Sequence, residues 1–348
     1  MHTLAVALVL ATLVVTSGCV SPADTGQIPH RLPGSGKHIV FVTGDEEYRS
    51  EEGMPQLAQI LTKHHGFTCT VLYALDSNGH IDPDRQDNIP GLEALTTADL
   101  LVLFTRFRDL PDDQMRHIVD YVESGRPIVG LRTATHAFDC RSSTTYERYS
   151  WRSKTWSGGF GRQVLGETWI NHHGGHKTQS ARGIIAPAAA EHPIVTGIAD
   201  GDIWDPADVY GVRLPLLPGC TPLVLGQVLD GMTPDSPAAR PRTDEKTGQT
   251  VDQNEPMMPI AWTREYTTPT QHRARVFTTT IGSAQAFEHA GSRRLIVNAC
   301  YWALRLEHAI RANSSVAIVG EYSPSPFGFG GYRPNQLPVV VHLRADVE

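Results

Sequence analysis

The first half of the chain alternates short apolar runs with amphipathic helical segments, and this alternation limits the fold more than any other feature. Strands are predicted at residues 38–43, 68–74, 99–105 and 127–131, each rich in β-branched and aromatic side chains. Helical spacing of apolar residues predicts helices from Ser50 to Gly66 and from Pro111 to Gly125. Strands separated by helices form βαβ units and a parallel sheet covered on both faces. The sequence therefore predicts an α/β fold with a doubly wound, mostly parallel sheet.

The second half of the chain is richer in strands than in helices. Strand-like runs occur at residues 181–186, 222–228, 259–262 and 275–281, separated by long loops rich in glycine and proline. One helix is predicted from Ser292 to Leu306, and the polar residues 235–255 are predicted to form an exposed loop insertion. No boundary separates the halves. We therefore expect one domain over residues 38–312 with added β-rich loops, followed by a Gly/Pro-rich tail at residues 313–348 that lies over the surface.

The N-terminus carries the pattern of an export signal. The apolar stretch after Thr3 is shorter than the roughly 20 residues that a transmembrane helix needs. It ends in small residues that lead into Cys19, as in a bacterial lipobox, where the cysteine is cleaved to the N-terminus and lipidated. We expect residues 1–19 to be a signal peptide of the lipoprotein type and residues 20–37 to be a flexible tether. Cleavage nearby without a lipid is the alternative.

The charge balance disfavours two classes of partner. The formal net charge is −7 and the pI is about 6.1, and no cluster of lysine and arginine occurs in the mature region. Nucleic acids and anionic membrane surfaces attract basic proteins, so we expect neither, and membrane contact only through an N-terminal lipid. A small molecule or another protein is the expected partner. The sequence does not indicate an oligomeric state.

The cysteines and glycines form no recognisable cofactor motif. Cys69, Cys140, Cys220 and Cys300 lack metal-ligand spacing and are expected to be buried, although an exported chain also permits a disulfide such as Cys140–Cys220. The glycine-rich residues 328–331 follow no strand and open no helix, and no Walker sequence occurs. No nucleotide cofactor is therefore expected.

Polar loops follow the first, third and fourth predicted strands, at residues 44–49, 106–108 and 132–136. Ligands of parallel sheets bind at the carboxyl ends of the strands, so these loops are expected to form a site. The stretch GLRTATHAF at residues 130–138 has the form of a nucleophile elbow, but it has no serine or cysteine at the bend. Arg132 stands there and offers a charged donor fork in place of a nucleophile.

Several motifs, in their order along the chain, resemble the ThuA-like (trehalose utilisation) family. They are GDEEYRSEEGMPQLAQIL, FTRFRDLPDDQM, GLRTATHAF, HPI, PIAW and RVFTTTIGS, and the similarity covers roughly residues 38–310. The resemblance implies a class I glutamine amidotransferase-like, flavodoxin-like fold and a role in disaccharide or keto-sugar utilisation. The amidotransferase cysteine would fall between Leu131 and Thr133. No cysteine occurs there, so glutaminase activity is not expected.

The residues predicted to carry acid/base chemistry are Arg132, His136 and Glu52. Arg132 could hold a developing oxyanion, or it could form a structural ion pair with one of the glutamates of the first loop and helix. Glu52 is the best candidate for a general base, although a glutamate in a first helical turn also complements the helix dipole. His136 could move a proton, or it could be a hydrogen-bonded structural residue.

The predicted substrate-binding residues are Tyr48, Arg49, Arg106, Phe107, Arg108, Thr133, Trp169, His172 and His173. Cations that flank an aromatic ring, as at residues 106–108, suit sugar hydroxyl and C–H groups, although a core phenylalanine with a solvent-facing arginine has the same pattern. Tryptophans and tyrosines between residues 146 and 170 are expected to add an aromatic sugar-binding wall. Thr133 is also a weaker candidate for a nucleophile.

The segment WINHHGGH at residues 169–176 contains three histidines within five residues. Such a cluster invites a metal site. However, the adjacent His172 and His173 cannot easily both point inward on a regular element, and no carboxylate stands at ligand spacing. We therefore expect no metal at His172, His173 and His176, and expect one of the adjacent pair to line the pocket.

These observations lead to one main functional hypothesis and two alternatives. The main hypothesis is an exported protein, lipid-anchored or periplasmic, that acts by acid/base chemistry on a carbohydrate, as an isomerase, lyase or hydrolase would. The first alternative is a glycan-binding or scaffolding lipoprotein without catalysis. The second is a metal-dependent hydrolase that uses the three histidines.

Overall fold

The structure, a computed structural model, describes residues 32–243, 248–339 and 342–344. The predicted signal peptide, the lipidation site Cys19 and the tether up to residue 31 lie outside the described residues. Within the described ranges, no helix combines the length and the apolar character needed to cross a bilayer.

The described residues contain twelve strands and three α-helices. The strands are β1 (His38–Gly44), β2 (Thr68–Leu72), β3 (Leu100–Thr105), β4 (Ile128–Leu131), β5 (Ser180–Ile185), β6 (Trp204–Asp205), β7 (Cys220–Leu229), β8 (Arg242–Thr243), β9 (Thr250–Val251), β10 (Met258–Thr267), β11 (Arg273–Thr279) and β12 (His342–Leu343). The helices are α1 (Ser50–His65), α2 (Asp112–Glu123) and α3 (Ala290–Ala303). A 3-10 turn, Arg132–His136, follows β4 directly.

Ten of these strands form one mixed sheet in the order β12-β2-β1-β3-β4-β11-β10-β7-β5-β6. The pairings from β2 through β1, β3 and β4 to β11 are parallel. The pairings from β11 to β6, and that of β12 with β2, are antiparallel. The predicted α/β class is confirmed, but the sheet is mixed where the sequence predicted a mostly parallel one, since only the part from β2 to β11 is parallel. The strand-like runs of the second half belong to this same sheet, whereas the sequence predicted added loops there. β10 turns directly back into β11 as a hairpin, so these two strands pair antiparallel.

Both faces of the parallel part are covered by helices. On β1, Ile39 and Phe41 pack with α1 and α3, whereas Val40 and Val42 pack with α2. Alternate residues of a strand point to opposite faces, so a strand covered on both sides is apolar throughout. This is why the run at residues 38–43 reads as a buried strand.

The loop between β1 and α1 is fixed by local hydrogen bonds. The Ser50 hydroxyl, at the start of α1, accepts from the backbone N–H groups of Gly44 and Asp45 at 3.1 Å. The helix ends before Gly66, whose φ of 80° and backbone N–H close the last turn as a left-handed cap. These contacts bring the residues after β1 to the carboxyl edge of the sheet.

The cysteines form no disulfide in the described part of the chain. Cys69, Cys140 and Cys300 are buried, Cys220 is partly buried, and all four are free. Burial raises the pKa of the Cys140 thiol to about 12, so this thiol is not a ready nucleophile.

Candidate functional site

Three strand-end loops meet at one edge of the sheet, and each contains a non-glycine residue in the left-handed region. Arg49 follows β1, Phe107 follows β3 and Arg132 follows β4, with φ values of 62°, 51° and 45°. This conformation costs on the order of 1–2 kcal/mol for a residue with a Cβ, and it clusters at functional sites. The Phe107 N–H donates to the carbonyl of His136 at 2.9 Å and ties two loops together. The bend predicted at Arg132 is present.

Arg132 is fully buried between two tyrosines. Its Cζ lies 4.3 Å from the ring centroid of Tyr48 and 3.8 Å from that of Tyr210. Nη1 donates to the carbonyls of Asp208 and Thr280 at 2.7 and 2.6 Å. Nη2 donates to the Tyr48 hydroxyl at 3.1 Å and to Asp208 Oδ1 at 3.2 Å. Arg132 therefore forms a structural ion pair with Asp208, and not with one of the glutamates considered from the sequence.

The Asp208 carboxylate lies at the centre of the site. It is fully buried; its Oδ2 lies 2.7 Å from His172 Nδ1, and its Oδ1 lies 3.2 Å from His176 Nδ1. Burial acts to raise the pKa of Asp208, but the hydrogen bond with His172 and the charge of Arg132 outweigh it, so the pKa is lowered. Nε2 of His176 lies 3.0 Å from Glu47 Oε1. Two partly exposed imidazoles are thus held against buried carboxylates.

Aromatic rings line one side of this cluster. The ring centroid of Trp169 lies 5.7 Å from that of His172 and 5.6 Å from that of His136. Trp151 lies 6.2 Å from Trp169, and Phe107 lies 4.9 Å from His136 and 5.2 Å from Trp151. Part of the expected aromatic wall therefore stands beside the histidines.

His136 lies among these rings and is only 2% exposed. Burial, followed by the charges of Arg106 and Arg132, holds the pKa of His136 well below its ordinary value. Its Nδ1 lies 3.1 Å from the Thr135 hydroxyl. A neutral, buried imidazole of this kind is suited to hydrogen bonding, whereas a proton shuttle needs a pKa near neutrality.

Arg106 and Arg108 share Glu46 but have different surroundings. Arg106 Nη1 lies 2.6 Å from Glu46 Oε1, and Arg108 Nη2 lies 2.7 Å from Oε2. Arg108 is fully buried and also donates to three backbone carbonyls, so its role is structural. Arg106 is partly exposed and lies over the rings of Phe107 and Phe329 at 4.8 and 5.0 Å. Arg106 is therefore the arginine of this pair that faces the site.

The C-terminal tail, predicted to lie over the surface, adds a further wall to the site. Arg49 is buried and donates to the carbonyl of Gly328 in this tail. Phe327 stacks on Tyr48 at 5.5 Å and lies 5.9 Å from the ring of His176. Tyr48 and Arg49 are both fully buried, so they support the residues that line the site and are not themselves exposed there.

Other predicted residues lie apart from the histidine cluster. His173 turns away from it, with Nε2 2.7 Å from the Gln253 carbonyl, as expected for one member of the adjacent pair. Thr133 is fully buried and its hydroxyl donates to Asp45 at 2.5 Å. A substrate cannot reach this hydroxyl in the structure.

Glu52 also belongs to other surroundings. Its Oε2 accepts from the backbone N–H of Ser325 at 2.7 Å and lies 3.8 Å from Arg333 Nη2. The first turn of α1 directs this carboxylate toward the C-terminal tail. The structure therefore does not bring Glu52 together with the histidine cluster.

Asp208 is the principal site residue that the sequence analysis missed. It lies 36 residues after His172, in an irregular segment between β6 and β7. No spacing rule connects two residues so far apart. The only indication in the sequence was the density of histidines at residues 172–176, because clustered histidines are often held by a carboxylate from another part of the chain.

A family model described as ThuA, trehalose utilisation, matches residues 38–303. The chain belongs to the ThuA family. This confirms the resemblance noted from the motifs. Among solved structures, a ThuA-like protein from Parabacteroides merdae is 16% identical with a TM-score of 0.46, over 77% of this chain and 90% of that one. A ThuA-like protein from Bacteroides uniformis is 12% identical with a TM-score of 0.40, over 81% and 95%. No curated protein sequence matches the chain.

The ThuA match includes the strand-end loops, the histidine cluster and Asp208, but it ends before the C-terminal tail. Phe327 and Phe329 therefore contribute to the site from outside the matched span. This ThuA chain thus combines a family core with a wall from its own tail.

Proposed function

We propose that this ThuA protein acts on a sugar by acid/base chemistry, with His172 and His176 moving protons and Asp208 holding both rings. The observation that carries the proposal is the pair of partly exposed imidazoles fixed by one buried carboxylate beside an aromatic wall. Imidazole is the group most often used for proton transfer in enzymes. Aromatic faces next to polar donors suit sugars. The family description, trehalose utilisation, supports a carbohydrate as the substrate class.

The proposal changes the roles assigned from the sequence. Arg132 positions Asp208, because its Nη groups are bonded to protein acceptors. His136 serves as a neutral hydrogen-bonding group in the wall. Arg106 supplies the positive charge that faces the sugar, and Glu52 anchors the C-terminal tail.

The proposal includes export and the finer description of the fold. The N-terminal apolar stretch that leads into Cys19 supports a lipoprotein signal, and hence a membrane-anchored or periplasmic protein. The parallel order β2-β1-β3-β4-β11, with helices on both faces, supports a doubly wound, flavodoxin-like core.

The test is proton NMR of the purified chain with a panel of disaccharides and their 3-keto derivatives. We expect new sugar signals, or solvent deuterium exchange next to the keto group, and a loss of about hundredfold or more in His172→Ala. His173→Ala is the matched control and should keep its turnover, because that ring bonds to Gln253. Saturation transfer without chemical change would identify a glycan-binding protein. If the sugars show neither chemical change nor saturation transfer, the sugar proposal is wrong.

Phe329 should contribute to sugar binding without contributing to stability. It is 58% exposed, and its ring lies beneath the guanidinium of Arg106. Phe329→Ala should weaken sugar binding about three- to tenfold, the loss expected for one aromatic contact, and should leave the melting temperature unchanged. Leu337→Ala, in the same tail and 60% exposed, should change neither quantity. Calorimetric titration measures the sugar affinity of each variant. An unchanged affinity in Phe329→Ala would place the sugar away from the tail.

A further inference from the structure

We propose that His172, His176 and Asp208 bind a divalent transition-metal ion of the kind that zinc represents. Each residue offers one ligand atom, and these atoms all lie within 4.8 Å of one another. Two imidazole nitrogens with one carboxylate oxygen form a ligand set that zinc and ferrous iron accept. In catalytic sites, sets of three protein ligands leave a position for water or substrate.

The spacing of the donors is close to what such an ion requires. Nδ1 of His172 lies 2.7 Å from Asp208 Oδ2, and Nδ1 of His176 lies 3.2 Å from Oδ1. Ligand atoms around a tetrahedral zinc are about 3.3 Å apart, so the widest separation in the set has to close by roughly 1.5 Å at most. The two histidine side chains are 37% and 29% exposed, so small rotations of the rings can bring the donor atoms to the separations that the ion requires.

Glu47 gives an independent indication that His176 is placed as a metal ligand. Its side chain is 4% exposed, and within the described ranges Oε1 has no hydrogen-bond donor. This oxygen lies 3.0 Å from Nε2 of His176, but not in hydrogen-bond geometry. A buried acceptor without a donor costs about 1–3 kcal/mol, and more when it is charged. When Nδ1 of His176 binds the ion, the ring proton is on Nε2, and a small rotation of the ring would let Nε2 donate to Glu47. A carboxylate placed behind the second ring nitrogen in this way orients a metal-binding histidine.

The surroundings hold the donors in place. Arg132 Nη2 donates to Asp208 Oδ1, which leaves the other lone pairs of the carboxylate for the imidazole side. The backbone N–H groups of His173 and Gly174 both donate to the Val209 carbonyl, at 2.9 and 3.0 Å. These bonds join the histidine loop to the segment that carries Asp208. Outer contacts of this type orient metal ligands and raise affinity.

The sequence analysis expected no metal because no carboxylate stands near the histidines in the chain. The fold supplies that carboxylate from Asp208, and it removes His173 from the set by turning its ring to Gln253. The inference rests on the proposed function only for the substrate class. With the ion bound, His172 and His176 would be its ligands and not proton carriers, and the ion would instead polarise a carbonyl or hydroxyl oxygen of the sugar.

The experiment is calorimetric titration of the chelator-treated chain with zinc chloride, in the absence of any sugar. We expect one zinc ion per chain, and a loss of affinity of at least about hundredfold in His172→Ala and in His176→Ala, since each removes a ligand. His173→Ala is the matched control and should bind zinc as the unchanged chain does. Circular dichroism of each variant establishes that it is folded.

Three results would overturn the metal site, and the first two are no zinc uptake by the folded unchanged chain and equal uptake by the His176→Ala variant. Uptake lost equally in His173→Ala would show adventitious binding to the loop, and it too would overturn the assignment. Because no sugar is present, failure here leaves the sugar proposal standing. Conversely, if the chain binds zinc at these ligands but neither binds nor changes any sugar, the metal site is supported and the sugar proposal is wrong.

Discussion

Arg132→Met should lower the free energy of unfolding by about 3–5 kcal/mol, the cost of leaving a buried charge without its partner. The guanidinium is fully buried and pairs with the equally buried Asp208. It also donates to the carbonyls of Asp208 and Thr280, which would lose their donors. Methionine has a similar length and fills the space between the two tyrosines. The lowered free energy of unfolding therefore arises from lost charge interactions and hydrogen bonds and not from a cavity. Urea denaturation followed by circular dichroism measures the change.

Two further variants separate this explanation from a general effect of removing an arginine. Arg116→Met removes an exposed arginine, paired with Asp120 at 3.9 Å on the surface of α2, and should change stability by less than about 1 kcal/mol. The double variant Arg132→Met/Asp208→Asn should cost less than the sum of its single changes, by about 1–3 kcal/mol, because the two residues share one network. A loss below about 1 kcal/mol for Arg132→Met would show that the arginine is held for binding and not for structure.

The parallel half of the fold could be predicted because its information is local. The run at residues 38–43 is apolar throughout because both faces of β1 are covered, and α1 ends where Gly66 allows a left-handed cap. The antiparallel half could not be placed in the same way. Its strands join the sheet through β11, which pairs with β4 across more than a hundred residues, and no local pattern encodes such a partner.

The candidate site shows the same division. The convergence of the three loops followed from the rule that strand ends meet at one edge, and the bend at Arg132 followed from its sequence. The partner of Arg132 did not follow, because Asp208 arrives from an irregular segment. Glu52 was assigned to the edge from its position in the chain, but the direction of its side chain depends on the C-terminal tail, whose Ser325 N–H donates to the carboxylate.

The second large predicted effect is a gain in stability, and it concerns Glu51, the residue before Glu52. Glu51 lines a cavity of about 290 Å³ between α1 and the C-terminal tail, and neither of its carboxylate oxygens has a hydrogen-bond donor within the described ranges. Burial raises the pKa of Glu51 from 4.5 to about 8, with the charge of Arg49 acting against it and that of Glu52 adding to it. The other ionisable residues that line the cavity are Glu52, Tyr73, Glu321, Tyr322 and Arg333.

Glu51→Gln should therefore stabilise the protein in alkaline solution and have little effect in acid. The unfolded chain ionises Glu51 near pH 4.5, whereas the folded chain resists ionisation until about pH 8, so the native protein loses stability as the pH rises through this window. One unit of pKa corresponds to about 1.4 kcal/mol, which places the gain in Glu51→Gln at roughly 3–5 kcal/mol above pH 8. Urea denaturation at about pH 4.5 and about pH 8.5 measures the two values.

The pH dependence of this gain is what distinguishes burial of the charge from any other benefit of glutamine. Glutamine matches the shape of the protonated acid, so a favourable contact made by the amide alone would stabilise the protein equally at both pH values. Glu93→Gln, at an exposed position, removes the same charge without relieving burial and should change stability by less than about 0.5 kcal/mol at either pH. No stabilisation by Glu51→Gln at either pH would mean that water reaches this carboxylate in solution and that the tail does not close over α1 there.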